Sequence, residues 1–317
     1  MPQRKRPPQR AHLTYRQINR LLPFTNAPLF HALQLLATGD SARFHMPGHK
    51  GEPLFNTYAE VFAIDFTETY GTGNLYLGDG PIRDAEVAAA LYFGASDCFF
   101  LTGGSTQGIM AMLATAVGKG GSVLLDRECH KSVCHACALL DITPYFVSAP
   151  LIEPFAVSGE LPKDAVERAL LDHPDVKAVL VTSPTYYGVR RALPELADLC
   201  RAYGKSLLVD AAHGAHFPTV GLPAPIAEGA DMAVLSMHKT LPCLGQGAVV
   251  LCGAGVDKRA LRENTALFGT SSPSYPIMAS IDLARAYTEG PGRAAYRRSA
   301  ETCEELREYI ARRTGFT

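Results

Sequence analysis

From about residue 98 onward, short apolar runs alternate with longer segments in which apolar residues recur every three or four positions. The runs CFFLTG (98–103), SVLLD (122–126), PYFVS (144–148), AVLVTS (178–183), SLLVD (206–210), MAVLS (232–236) and AVVLC (248–252) predict seven strands. Most are apolar at successive rather than alternate positions, the pattern of strands covered on both faces. Between them, STQGIMAMLATAVG (105–118), PKDAVERALLDHP (162–174) and LPELADLCRAYG (193–204) carry helical spacing and close on Gly or Pro. This alternation predicts an α/β fold with a mainly parallel seven-stranded sheet and helices on both faces. Ligands of such folds sit beyond the carboxyl ends of the strands, so the residues after each run carry the chemistry.

Composition narrows the function classes. A chain of 317 residues has room for one large domain with appendages. A net charge of -1 offers no footprint for nucleic acid. No apolar run approaches the ~18 residues that cross a bilayer, so no membrane role is expected. Eight unevenly spaced cysteines read as reduced thiols and predict a cytoplasmic setting. The first 39 residues lack Asp and Glu, while six Lys or Arg fall within the first 20. PQRKRPPQR has no apolar segment of a secretory signal and reads as a solvated basic arm.

The strand ends supply the candidates. TGGSTQG (102–108) brings Gly104, Ser105 and Thr106 to a helix start, either a phosphate cradle or a common N-cap loop. In DRECHKSVCHAC (126–137), His130 either lies over an aromatic ligand or caps the next helix. Cys129, Cys134, His135 and Cys137 beside it offer one C-x-x-C and no second pair at zinc spacing, so packed small residues are expected rather than a metal. Asp210 ends SLLVD, where a carboxylate either caps a helix or holds a pyridinium nitrogen charged. His213 and His216 follow closely. Lys239, after Ser236 and His238, either caps a strand in solvent or carries an aldehyde cofactor.

These pieces fall in the order of a pyridoxal phosphate site, and the chain resembles the Orn/Lys/Arg decarboxylase family of fold-type-I pyridoxal-phosphate enzymes, in its shorter bacterial form. The resemblance covers about residues 26 to 290. It rests on FHMPGHKG (44–51), LTGGSTQG (101–108), CHKS (129–132), TSPTYYG (182–188), VDAAHGAH (209–216), SMHK (236–239) and GTSSPSYPIMASID (269–282). It implies that Lys239 binds pyridoxal 5'-phosphate covalently, Asp210 pairs with the ring nitrogen, His130 stacks on the ring and His213 faces the ring hydroxyl. Gly104, Ser105, Thr106, Ser236 and His238 would hold the phosphate. Thr270 and Ser271 would reach a neighbouring subunit's site, implying a homodimer or larger homo-oligomer. FHMPGHKG would line the substrate entrance, with His45 and His49 equally open to a structural role.

The activity implied is α-decarboxylation of arginine, lysine or ornithine to the amine. Another fold-type-I reaction (transamination or a lyase reaction) and a catalytically silent cofactor-binding paralogue are the alternatives. Glu68, Asp79 and Glu86 are candidate acceptors for the substrate's distal cation. The domain reading is an arm and leading helix over 1–40, a cofactor-binding large domain over 41–290, and a helix over 291–317. That last helix is expected to lead away from the core with an apolar face uncovered, the family's C-terminal small domain being absent.

Overall fold

The computed structural model describes residues 26–39, 41–153 and 155–314; the basic stretch before residue 26 lies outside them. Strands β1 (Asp97–Leu101), β2 (Ser122–Asp126), β3 (Thr143–Val147), β6 (Val176–Thr182), β7 (Ser206–Asp210), β8 (Met232–Leu235) and β9 (Ala248–Cys252) form one sheet, and β4 (Leu151–Ile152) pairs with β5 (Val157–Ser158) as a small hairpin. The seven strands are the seven apolar runs, with ends shifted by at most two residues. Their order is β1-β9-β8-β7-β6-β2-β3. Only β9 is reversed: it pairs antiparallel with both β1 and β8, while the other neighbours are parallel.

The helices are α1 (Pro28–Thr38), α2 (Ala59–Ile64), α3 (Gly80–Phe93), α4 (Gly104–Ala116), α5 (Lys131–Leu140), α6 (Lys163–Asp172), α7 (Leu193–Ala202), α8 (Met237–Thr240), α9 (Lys258–Leu267), α10 (Tyr275–Glu289) and α11 (Gly292–Thr314). Successive strand residues point to opposite faces, so each strand feeds two cores. Phe99, Leu101, Leu125, Leu180, Leu208 and Val250 pack under α4, α5 and α9. Phe100, Leu124, Val179, Leu207, Leu235 and Val249 pack under α1, α3, α6, α7 and α10. This double burial is why the runs lack alternation. Only β3, at the sheet's edge, exposes Pro144 and Phe146.

Close approach fixes α4. A Cβ on Gly108 would stand 2.6 Å from Val234 Cγ2 and 2.8 Å from Leu101 Cδ1, so only glycine lets the helix lie this near the sheet. The leading helix α1 is tied to α10: Asp282 Oδ2 accepts from the Leu29 and Phe30 amides at 2.9 and 3.3 Å. At the other end, α11 bonds back through Tyr296, whose hydroxyl donates to the Thr240 carbonyl. Further along, Leu306 and Tyr309 are exposed. Among the described residues, no helix is long and apolar enough to cross a membrane.

One buried ion pair anchors the loop after β2. Arg191 Nη2 donates to Asp126 Oδ2 at 2.7 Å with both side chains fully buried, and its Nη1 donates to the Gly159 carbonyl. Asp126 Oδ1 accepts from the Glu128 amide at 3.1 Å, turning the chain toward His130. Removing one partner strands a charge in a dry interior. Arg191→Leu should therefore lower unfolding stability by about 3–5 kcal/mol in a denaturant titration. A loss below about 1 kcal/mol would mean that Asp126 is not held by this pair.

Candidate active site

The reversed strand shapes the site. Because β9 runs against β1 and β8, their carboxyl ends flank its amino end, and three loops meet there. The Gly104 amide donates to the Gln246 carbonyl at 3.0 Å, the Ser105 and Ser236 hydroxyls bond at 2.6 Å, and the His238 amide donates to the Gly247 carbonyl at 3.2 Å. His238 Nδ1 bonds the same carbonyl at 2.9 Å, which fixes its ring in the wall. Gly104 takes φ 72°, a left-handed value that favours glycine. No side chain caps the N-terminus of α4. Its first amides lack intrahelical partners, and they open where Ser105 and Thr106 line the cavity, an arrangement that favours an anion.

The cavity holds about 390 Å³ and is open to solvent. Its lining includes nine of the eleven expected residues: Gly104, Ser105, Thr106, His130, Asp210, His213, Ser236, His238 and Lys239. Thr270 and Ser271 are not among them; they sit on an exposed loop, where the Tyr76 hydroxyl donates to the Thr270 carbonyl at 2.9 Å. FHMPGHKG does not line the cavity either. Met46, Pro47 and Gly48 border a separate depression with Ser272 and Ser274, and His49 stacks on Phe62 at 4.1 Å between centroids.

For His130, the paired alternatives are compatible. His130 is both the N-cap of α5, accepting from the Ser132 amide through Nδ1, and a wall of the cavity. Asp210 caps no helix: it accepts from the Ala212 amide at 3.1 Å in the turn after β7 and faces the same space. Register explains its position: Asp210 stands level with Thr182 of β6 and Val234 of β8, at the carboxyl edge. Burial raises the Asp210 carboxyl above its ordinary range, and the Ala212 amide, Lys239 and His130 pull it back only in part. Among the described residues, that amide donates the only hydrogen bond to its carboxylate. A buried carboxylate short of partners is suited to a cationic ring nitrogen.

Lys239 Nζ lies 3.3 Å from His213 Nε2. Burial, then the neighbouring Lys239 and His130, lower the His213 pKa, which favours its neutral ring and leaves Nε2 able to accept the lysine proton. Tyr186 meets His213 edge-on at 5.7 Å. An exposed amine, a buried carboxylate, paired hydroxyls and an uncapped helix start are the donor set that pyridoxal phosphate requires, and the residues fit that group.

The three acidic residues considered for a distal cation are placed elsewhere. Glu86 is fully buried and bonded to Arg262 at 2.7 Å and to the Phe100 amide at 3.1 Å, so its role is structural. Asp79 accepts from the Asn74 amide and Glu68 from the Thr67 hydroxyl, both beside a different surface depression. The carboxylates that do line the cavity are Asp210 and Glu128. Glu128, Thr182, Tyr186 and Gln246 escaped the sequence reading. The first three follow or end strands and were findable from position; Gln246 precedes a strand, and only the reversal of β9 brings it in.

A sequence profile described as "Orn/Lys/Arg decarboxylase, major domain" matches residues 27–317. The chain is 37% identical over 274 residues to the Bacillus subtilis protein "Uncharacterized protein YaaO", covering 83% of this chain and 57% of that one. It is 33% identical over 293 residues to an arginine decarboxylase of Halalkalibacterium halodurans, covering 89% and 60%. Lysine decarboxylase A from Pseudomonas aeruginosa superposes with a TM-score of 0.80 at 24% identity, over 94% of this chain and 45% of that structure. The chain thus spans about three fifths of the curated relatives it matches and under half of that solved structure. With its sheet, cavity and family profile in agreement, this chain belongs to the Orn/Lys/Arg decarboxylase family and has the fold of its major domain.

Proposed function

We propose that this protein removes the α-carboxylate of a basic amino acid as CO2, using pyridoxal phosphate held on Lys239. The observation that carries this reading is the convergence of Lys239, Asp210 and the uncapped start of α4 on one cavity. The relatives named arginine and lysine decarboxylases support the substrate class. Pyridoxal phosphate supplies an electron sink for the pair left behind when CO2 departs.

The chain's own residues do the rest. The Ser105, Thr106 and Ser236 hydroxyls, His238 and the α4 amides would hold the phosphate. Asp210 would pair with the ring nitrogen and favour its protonated form, His130 would stack on the ring, and Lys239 would provide the attaching amine. Lys239 and His213 form the proton-moving pair, Nζ as donor and the neutral imidazole as acceptor. Thr270 and Ser271, exposed and outside their own cavity, would contribute to the site of a second copy in a homodimer.

Glu128 is the acceptor for the distal cation. Its amide is fixed by Asp126 and its carbonyl by Thr182, while its exposed carboxylate makes no hydrogen bond or ion pair among the described residues. A guanidinium or ammonium is the partner such a group lacks.

With pyridoxal phosphate added, the protein should develop a visible absorbance band that Lys239→Ala abolishes, and should release CO2 from arginine, lysine or ornithine. A band unchanged in the alanine variant would contradict the attachment. Keto-acid formation in place of CO2 would make the chemistry transamination, and a band without turnover would make the protein a silent binder.

Asp210→Asn should separate function from stability. Above the usual carboxylate range, the raised pKa of Asp210 makes its ionised form a cost to the cofactor-free fold, and that cost vanishes as pH falls. The amide should raise the Tm of the cofactor-free protein by roughly 2–4 °C near pH 7 while removing most turnover. Near-normal turnover would refute the ring-nitrogen role. Glu128→Gln should raise KM for the basic substrate about tenfold with little change in kcat. An unaltered KM would assign the distal cation to another group.

A further inference from the structure

We propose that Cys129 and Cys134 form a peroxide-responsive dithiol that closes into a disulfide beside His130. The placement follows from the helix start. His130 is the N-cap of α5, so Cys129 is the residue before the cap and Cys134 the fourth helical residue. Side chains at those two positions pack against each other where a chain turns into a helix. Aliphatic residues usually make this contact; here both places are held by thiols, close enough that Cys134 acts on the ionisation of Cys129.

Access separates them. Cys134 is exposed and Cys129 half-buried, with Cys137 buried one turn further along. Burial, then the neighbouring thiols, push the Cys129 thiol up, and the exposed Cys134 is the sulfur that a peroxide meets first. Cys98 and Cys252 also lie close to each other, but both are buried in adjacent strands of the sheet, out of reach of a peroxide. Among the described residues, no group of three or more His, Cys, Asp or Glu is arranged to hold a metal ion, so the thiols around His130 are not spoken for in that way.

The chemistry balances with a peroxide as oxidant. The Cys134 sulfur attacks one peroxide oxygen, the O–O bond breaks, and one water leaves a sulfenic acid on Cys134. The Cys129 sulfur then attacks that sulfur as its proton passes to the departing hydroxide, the S–O bond breaks, and a second water leaves. Two thiols lose two hydrogens and two electrons, and the peroxide is reduced to two waters.

An S–S bond of about 2.05 Å is shorter than any non-bonded approach of two sulfurs, so closure draws the residue before the cap toward the helix. His130 lies between the two sulfurs in sequence. Its Nδ1 is pinned by the Ser132 hydroxyl at 2.8 Å, so a shift of the cap moves the ring that lines the cavity. The disulfide's effect on cofactor affinity rests on the proposed function; its formation does not.

The test treats the reduced full chain with a few equivalents of hydrogen peroxide, alkylates it with N-ethylmaleimide and maps the peptides by mass spectrometry. A Cys129–Cys134 linkage, about 2 Da lighter than the dithiol and opened by dithiothreitol, is the expected product. In parallel absorbance titrations, the oxidised chain should bind pyridoxal phosphate at least about threefold more weakly, with recovery on reduction. Cys134→Ser should bind as the reduced wild type does and ignore peroxide. Finding Cys129 alkylated while Cys134 is alkylated or overoxidised would overturn the dithiol. A mapped disulfide with unaltered affinity would overturn its action on the pocket. If the reduced chain binds no pyridoxal phosphate, the proposed function fails, and the peptide map still decides the disulfide.

Discussion

Strands that run the same way must finish on the same edge of their sheet, and this constraint creates the site. Asp126, Thr182, Asp210 and Leu235 end four parallel strands side by side, and the loops beyond them carry His130, Tyr186, His213 and Lys239. A sheet of alternating direction would scatter these residues over two edges. The single reversed strand refines the arrangement by pressing the end of β1 against that of β8, so that Ser105 and Ser236 share a hydrogen bond across 131 residues of chain.

Rigidity at that edge comes from groups that do no chemistry. Arg191 holds Asp126, Asp126 holds the Glu128 amide, and the α5 cap then fixes His130. Gly108 lets α4 approach closely enough to aim its amides into the cavity. Against this stiff frame stand groups with few partners within the chain itself: the buried Asp210 carboxylate, the uncapped helix start and the exposed Lys239 amine. Stability lost at such points is a usual signature of a binding site, because the ligand supplies the missing partners.

Much of this was legible in the sequence, for physical reasons. Continuous apolar runs arise only where both faces of a strand are covered, so SVLLD, SLLVD and AVVLC marked their strands to the residue. The position after each run then pointed to His130, Asp210 and Lys239, because a parallel sheet leaves ligand-binding groups nowhere else to gather. Relations between distant segments were harder to see. Nothing local shows that β9 is reversed, so Gln246 was missed. Nothing local separates Glu86, buried against Arg262, from Glu128, which lies free in the cavity. The small hairpin β4–β5 is too short to leave a pattern. The 269–274 segment and FHMPGHKG matched the family by motif, yet within this chain both lie outside the cavity.

The central claim is that the cavity is built to hold an aldehyde cofactor on one particular amine. Borohydride reduction of the protein mixed with pyridoxal phosphate, followed by peptide mapping, tests it most directly. The account predicts a stable phosphopyridoxyl group on Lys239 alone, at one equivalent per chain. Label spread over the other lysines, or none on the Lys239 peptide, would contradict it.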